Sequence, residues 1–277
     1  MKIVKQQCQI VPKWGTKNLY ERCEYAGRIS HKSEGKIAPG TAEEFVRKMV
    51  RLGHESVFEF ARVCFGDNHR IRTHIRRLRD VVKYNLDDIE LETLARSVAE
   101  KYPVFFEDIG KEKTFWRITE RVNWCEEGEE KVKNLALDWI AVHIVTNRAV
   151  SHQLVRYRNE VVFIQESQRY CKYKDDVVFI DPCDYFEEGT EVRAIWENHM
   201  ARCEDKYNQL LKSNCSAESA RLVLPNSTKT ELIMYARPIT WMHFFDQRCT
   251  NHADKAMYTL ACMIRNEMRK KRILYHG

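Results

Sequence analysis

Residues 151–173 read SHQLVRYRNEVVFIQESQRYCKY, and the reading of the whole chain turns on them. Arg156 and Arg158 flank Tyr157. Gln153 stands three residues before Arg156, so on a helix the two share a face. A β-prone run, Val161 to Ile164, follows. Then Gln165, Glu166, Ser167, Arg169 and Tyr170 arrive together. A core element has no need of three arginines and a hydroxyl beside an apolar run. Planar, permanently charged guanidinium groups suit a phosphate or a polarised carbonyl. The stretch therefore reads as a helix delivering polar side chains into a strand, which hands over a second polar group.

The rest of the composition allows this and excludes other classes. The chain has 277 residues, 44% of them hydrophobic, enough to build one large domain or two small ones. A net charge of +6 suits small anionic ligands or a nucleic acid. Ten cysteines are scattered with no CxxC pair, which predicts reduced thiols, a cytoplasmic location and no metal site. Met1 to Trp14 has no apolar core of signal-peptide length, and no stretch approaches the ~20 apolar residues of a membrane span.

Working outward, Met1 to Val11 reads as an opening strand and Pro12 to Gly40 as loop. The polar cluster Gly27 to Glu34 within it offers either a site role or a solvated loop, and composition favours the loop. Thr41 with Glu44 forms a capping box ahead of a helix bearing Phe45, Met49 and Leu52, and Gly53 ends it. Basic Asn68 to Arg79, amphipathic Asp87 to Glu100 and charged Lys111 to Lys133 read as a helical insertion at about 67–137. Asn134 to Thr146, Val177 to Ile180 and Thr230 to Ala236 read as strands. Arg148 to Arg156, Glu188 to Lys212, the segment starting at Ser216, Thr240 to Gln247 and Ala253 to Arg269 read as helices. In Glu188 to Lys212 the core candidates are Val192, Ile195, Trp196, Met200 and Leu210.

With these residues in place, the chain resembles the flavin-dependent thymidylate synthases. Their signature is Arg-His-Arg, seven residues, then Ser-x-Arg. Arg156-Tyr157-Arg158 and Ser167-Gln168-Arg169 are similar to it, with tyrosine for the central histidine and an eight-residue spacer, Asn159 to Glu166. Gly53-His54-Glu55-Ser56, Ser151 to Arg156, Gln165 to Tyr170, Ala220 to Pro225 and Trp241 to Arg248 resemble further family segments in the same order. Arg221 and Arg248 also keep the family's interval of 27 residues.

The resemblance implies a single domain over 1–277, of α/β (α+β) class, with a mixed sheet flanked by long helices. It implies methylation of dUMP to dTMP with methylenetetrahydrofolate, FAD and NADPH, in a homotetramer with shared active sites. No cysteine nucleophile is required, so Cys171 reads as a bystander. By match, Gln153, Arg156, Gln165, Glu166, Ser167, Arg169, Arg221 and Arg248 hold the nucleotide, with Ser167 and Arg248 catalytic. His54, Ser56, Arg156, Tyr157, Arg158, Gln165, Arg237 and His243 hold FAD, and Tyr170 stacks on a ring system. Departures from the pattern fall mostly on the flavin side: Tyr157, Arg237 for Asn, Ile239 for Arg, Asp254 for Gln and Phe60 for His. Two other readings stand beside this one. One is a pyrimidine-nucleotide hydroxymethylase. The other is a non-catalytic nucleotide- or nucleic-acid-binding homologue, motivated by Arg70, Arg72, Arg76, Arg77 and Arg79. Membrane and nucleic acid are not expected as partners of the leading reading.

Overall fold

A computed structural model describes residues 1–12, 17–60, 139–158, 161–173, 176–271 and 273. The expected insertion at 67–137, including Asn68 to Lys133, lies outside the described residues. The chain divides into two compact units: Met1–Pro12, Ile29–Lys32 and Ile140–Gly277 form the first, Lys13–Arg28 and Ser33–Trp139 the second.

The first unit is built on a four-stranded antiparallel sheet. Its strands are β2 (Gln7–Ile10), β3 (Ile140–Asn147), β4 (Val161–Gln165) and β6 (Lys229–Ala236), in the order β2-β3-β6-β4. β3 and β6 pair along their whole length, from Ile140↔Ala236 to Asn147↔Lys229, because both are eight residues rich in β-branched and aliphatic side chains. A separate parallel pair joins β1 (Lys2–Val4) to β5 (Val178–Ile180). The fold class is thus mixed α/β, with parallel pairing confined to the small sheet. The opening segment is two short strands in different sheets, not one strand.

Strand alternation sorts the faces. Ile140, Val142, Ile144, Leu232, Met234 and Ala236 fall on one side of the sheet and form its main core. That core is covered by α3 (Arg148–Leu154), α6 (Pro238–Arg248) and α7 (Lys255–Lys270), through Val150, Leu154, Trp241, Phe244, Leu260 and Ile264. Each helix has a local start signal. Asn147 Oδ1 accepts from Val150 N at 2.8 Å, Asp254 Oδ1 accepts from Met257 N at 3.1 Å, and α6 opens with proline in its first turn.

Helix α4 (Glu191–Lys212) closes a second core around Tyr173, Val177, Phe179 and Ala220. The buried side chains of α4 are Arg193, Met200 and Tyr207, seven residues apart and hence on one stripe. Val192 and Ile195 point outward, which corrects their assignment to the core. The buried stripe includes an arginine because Arg193 reaches Asp181 at 2.6 Å and Glu197 at 2.7 Å and lies over the Trp196 ring. The short helix α5 (Ala217–Ala220) is capped by Ser216 and passes into a 3-10 turn, Arg221–Val223, ahead of Pro225.

The second unit contains α1 (Leu19–Ser30, apart from its last residues) and α2 (Thr41–Leu52). The expectation of a loop from Pro12 to Gly40 therefore fails over α1, whose charged residues hid its apolar stripe of Cys23, Ala26 and Ile29, each at most 1% exposed. A Cβ on Gly27 would stand 2.5 Å from Phe45 Cζ, so glycine lets α1 approach α2 without displacing the Phe45 ring. The capping box is also corrected. Gly40, at φ +86°, takes the N-cap position, and the Thr41 hydroxyl turns to Ala38 O (2.8 Å) and Glu24 Oε2 (3.1 Å). Gly53, at φ +66°, ends α2 as expected.

Candidate active site

The antiparallel register brings three polar segments to one end of the main sheet: the start of α3 after Asn147, the Gln165–Arg169 segment after β4, and Lys229 to Glu231 opening β6. Gln165 Nε2 donates to Ser151 Oγ (2.9 Å) and Thr230 Oγ1 (3.0 Å), on the face that carries the core. Glu166 N donates to Glu231 O at 2.8 Å, which turns the Glu166 side chain to the opposite face. There its carboxylate is fully buried, 3.5 Å from both Lys32 Nζ and Lys229 Nζ, and accepts from Tyr173 Oη at 2.8 Å. Glu231 completes the cluster by pairing with Lys229 and, through Oε2, with His143 Nε2 at 3.0 Å.

Electrostatics follow from this packing. The hydrogen bond with His143, against the opposing effect of burial and aided by Lys229 and Lys32, holds the Glu231 carboxyl down at about 2. Burial works to lower the Lys32 ammonium, but Glu166 and Glu231 outweigh it and the net shift is upward. Burial and Glu166 push the Tyr173 phenol up. Burial lowers the half-buried Arg148 guanidinium, and the Arg221 charge adds to that. Partial burial, then the charges of Arg148 and Arg156, lower His152. Arg148 and Arg221 thus bring like charge together at this end of the sheet.

Ser167 N donates to Ser30 O at 2.9 Å, which fixes the Ser167 backbone. Arg169 extends outward to Glu218 at 2.7 Å, and exposed Tyr170 stacks on His31 with ring centroids 5.4 Å apart. Gln153 is half-buried on α3 and Arg221 half-buried in its 3-10 turn.

The other half of the motif lies at the opposite end of β4, a strand about 14 Å long. Arg156 and Arg158 are exposed there or on the way, and neither has an ion pair among the described residues. Tyr157 is 6% exposed and belongs to the main core. Its hydroxyl meets Thr240 O at 3.1 Å and His243 Nδ1 at 2.5 Å in the first turns of α6. Arg237 occupies the N-cap position of α6, and Ile239, 60% exposed, follows inside the helix, so the two are not consecutive on one strand face. Arg248 ends α6 with a buried Nε that has no hydrogen-bond partner among the described residues. His54 and Ser56 belong to the second unit, half-buried and exposed respectively, where His54 N donates to Met49 O at 3.0 Å. Phe60 is fully buried in that unit.

Lys32, His143, Arg148, Lys229, Glu231 and Tyr173 went unread in the sequence. Two of them carried a usable signal: Lys229 and Glu231 place opposite charges two apart in an otherwise apolar strand, so both fall on one face. Lys32 lay in the segment read as a solvated loop. Its Nζ instead reaches Glu166, and its backbone takes a left-handed φ of +50°. Asp254, noted as a departure, caps α7 and accepts from Tyr185 Oη at 2.6 Å.

Among the described residues there is no group of three or more His, Cys, Asp or Glu that could hold a metal ion. Eight of the described cysteines are unbridged, and no described helix is long and apolar enough to cross a membrane. Cys171 is buried with its thiol against Ser30 O.

Fold and site together define an α/β domain with a buried ion-pair cluster at one end of its sheet and, around the ends of β4, guanidinium groups with no ion pair among the described residues. The profile of the thymidylate synthase complementing protein family matches residues 138–272. The flavin-dependent thymidylate synthase of Geobacter sulfurreducens is 37% identical over 116 residues, 42% of this chain and 49% of that protein. The flavin-dependent thymidylate synthase of Mycobacterium bovis is 32% identical over 128 residues, 42% of this chain and 51% of that protein. The chain thus spans about half the length of these relatives. Among solved structures, a UMP/dUMP methylase, PolB, from Streptomyces cacaoi has a TM-score of 0.47 at 16% identity, covering 98% of this chain and 93% of that one.

Proposed function

We propose that this chain is a flavin-dependent thymidylate synthase that methylates dUMP to dTMP, using methylenetetrahydrofolate for carbon and NADPH as reductant. The observation that carries the reading is the uncompensated charge within the family-matched segment. Arg156, Arg158, Arg221 and Arg248 have no carboxylate partner among the described residues, and Arg248 Nε is buried without an acceptor. Burying or crowding cations is costly without anions to receive them. A nucleotide phosphate and the pyrophosphate of FAD are such anions, so the residues present fit both groups.

In this reading Gln153, Arg156, Gln165, Glu166, Ser167, Arg169, Arg221 and Arg248 hold dUMP. Arg148 joins them through its place beside Arg221. Arginines at the uracil carbonyl favour the charge that builds on the ring, with Ser167 and Arg248 at the reacting end. His54, Ser56, Arg156, Tyr157, Arg158, Gln165, Arg237 and His243 hold FAD, Tyr157 acting through His243. When bound, FAD supplies the redox chemistry, and the protein supplies placement. The assembly is a cytoplasmic homotetramer.

The test is an absorbance spectrum of purified protein, followed by product mass from dUMP, methylenetetrahydrofolate, FAD and NADPH. A flavin spectrum and dTMP are expected. A protein that stays colourless after FAD is added, or a product heavier than dTMP by one oxygen, sinks the reading.

A further inference from the structure

We infer that Tyr157 is a positioning residue that fixes the exposed His243 ring as the neutral tautomer protonated at Nδ1, so that Nε2 faces outward as a hydrogen-bond acceptor. Three contacts carry this. Tyr157 Oη lies 3.1 Å from Thr240 O and 2.5 Å from His243 Nδ1. On the other side of the ring, Gln247 Nε2 lies 3.3 Å from His243 Nε2.

A phenol has one proton, a carbonyl only accepts, and an amide nitrogen only donates. One arrangement satisfies all three contacts. Gln247 N–H donates to a bare Nε2, Nδ1–H donates to Tyr157 Oη, and Tyr157 O–H donates to Thr240 O. The reverse direction fails at the buried end, where it leaves the Tyr157 oxygen lone pair against the Thr240 carbonyl.

Burial makes the arrangement directional. Tyr157 is wedged in the core with Phe244 edge-on to its ring at 5.4 Å, so its hydroxyl has little freedom. His243 and Gln247 are exposed, so the outer edge of the imidazole is open and its contact with Gln247 is displaceable. That edge takes a ligand N–H or O–H. If the ligand is the flavin, a point that rests on the function proposed above, His243 reads a donor on it.

Long-range proton–nitrogen spectra of protein labelled with 15N-histidine test this above the histidine titration range, with His243→Gln assigning the signal. The expected wild-type signature is Nδ1–H with an unprotonated Nε2. Tyr157→Phe is expected to abolish it in favour of a mixture containing Nε2–H, and to raise the flavin dissociation constant about tenfold, the worth of one hydrogen bond. Gln247→Leu is expected to leave the signature in place. An Nε2–H signature in wild type overturns the inference even if Tyr157→Phe does not fold. An unchanged signature in Tyr157→Phe, or its loss in Gln247→Leu, overturns it too. A chain that binds no flavin yet shows Nδ1–H supports the inference and removes the flavin reading.

Discussion

Lys229 is 7% exposed and sits between two carboxylates, one of them fully buried. Removing a single partner from such a cluster strands charge in a poorly solvated place. Lys229→Met is therefore expected to cost ~3–5 kcal/mol, read as a fall in the urea midpoint. An unchanged midpoint would mean that Lys32 alone compensates Glu166. Glu231 adds a pH dependence. Its folded carboxyl titrates at about 2, below the ordinary value of 4.5, so the folded state binds the proton less well than the unfolded chain. The resulting stability is complete above about 4.5 and drains away as pH falls toward about 2, on the order of 3 kcal/mol in all. Thermal unfolding between pH 5 and 3 is expected to show this slope, and Glu231→Gln to flatten it. At the surface the sign of the experiment changes. Arg221 has no ion pair among the described residues, so Arg221→Ala is expected to leave thermal stability unchanged. If it binds phosphate, the KM for dUMP rises about ten- to a hundredfold, the worth of a charged hydrogen bond. An unchanged KM would remove it from the nucleotide site.

At the scale of elements, the helix starts decide where side chains are delivered. Asp254 caps α7 and also receives the Tyr185 hydroxyl. Asp254→Ala is expected to lower stability by ~1–2 kcal/mol, while Asp254→Asn, which keeps an acceptor oxygen, recovers most of it. Equal losses in both would assign the effect to charge and not to the cap. These starts were partly legible in sequence: Ser216 reads as a helix start, whereas Asn147 and Pro238 emerge as start signals only in the structure. The helix α1 was missed because its short buried stripe of small and sulfur-bearing residues is diluted by charges. Of the apolar positions of α4, hydropathy misplaces only Val192 and Ile195, because ion pairs let Arg193 take the core position.

For the molecule as a whole, the separation of the two motif halves along β4 has a consequence. Arg158 stands beyond one end of the strand and Arg221 near the other, so one chain does not gather them at a single point. In the proposed homotetramer, copies meet so that each site draws one half from each. Native mass is then expected at four times the 33.0 kDa chain. Mixing inactive Arg158→Ala with inactive Arg221→Ala chains, with brief unfolding and reassembly, is expected to restore part of the activity. A monomeric mass, or no recovery in mixtures that do associate, would place both arginines in a site within one chain.

The sequence by itself determined the strands β3, β4 and β6, the helices that cover them, and the motif whose arginines point to an anionic ligand. Those are local signals: periodicity, caps, and charge beside an apolar run. The tertiary structure alone decided which residues share a neighbourhood. Strand register set Lys229 and Glu231 beside Glu166 from 63 or more residues away, and α1 delivered Lys32 to the same carboxylate. Tyr157 makes the contrast plain. In sequence it is a departure within a binding triplet. In the fold it is a core residue whose hydroxyl reaches His243, because α3 and α6 pack against the same face of the sheet. No pattern along the chain encodes that contact, since it depends on where two residues 86 positions apart come to rest.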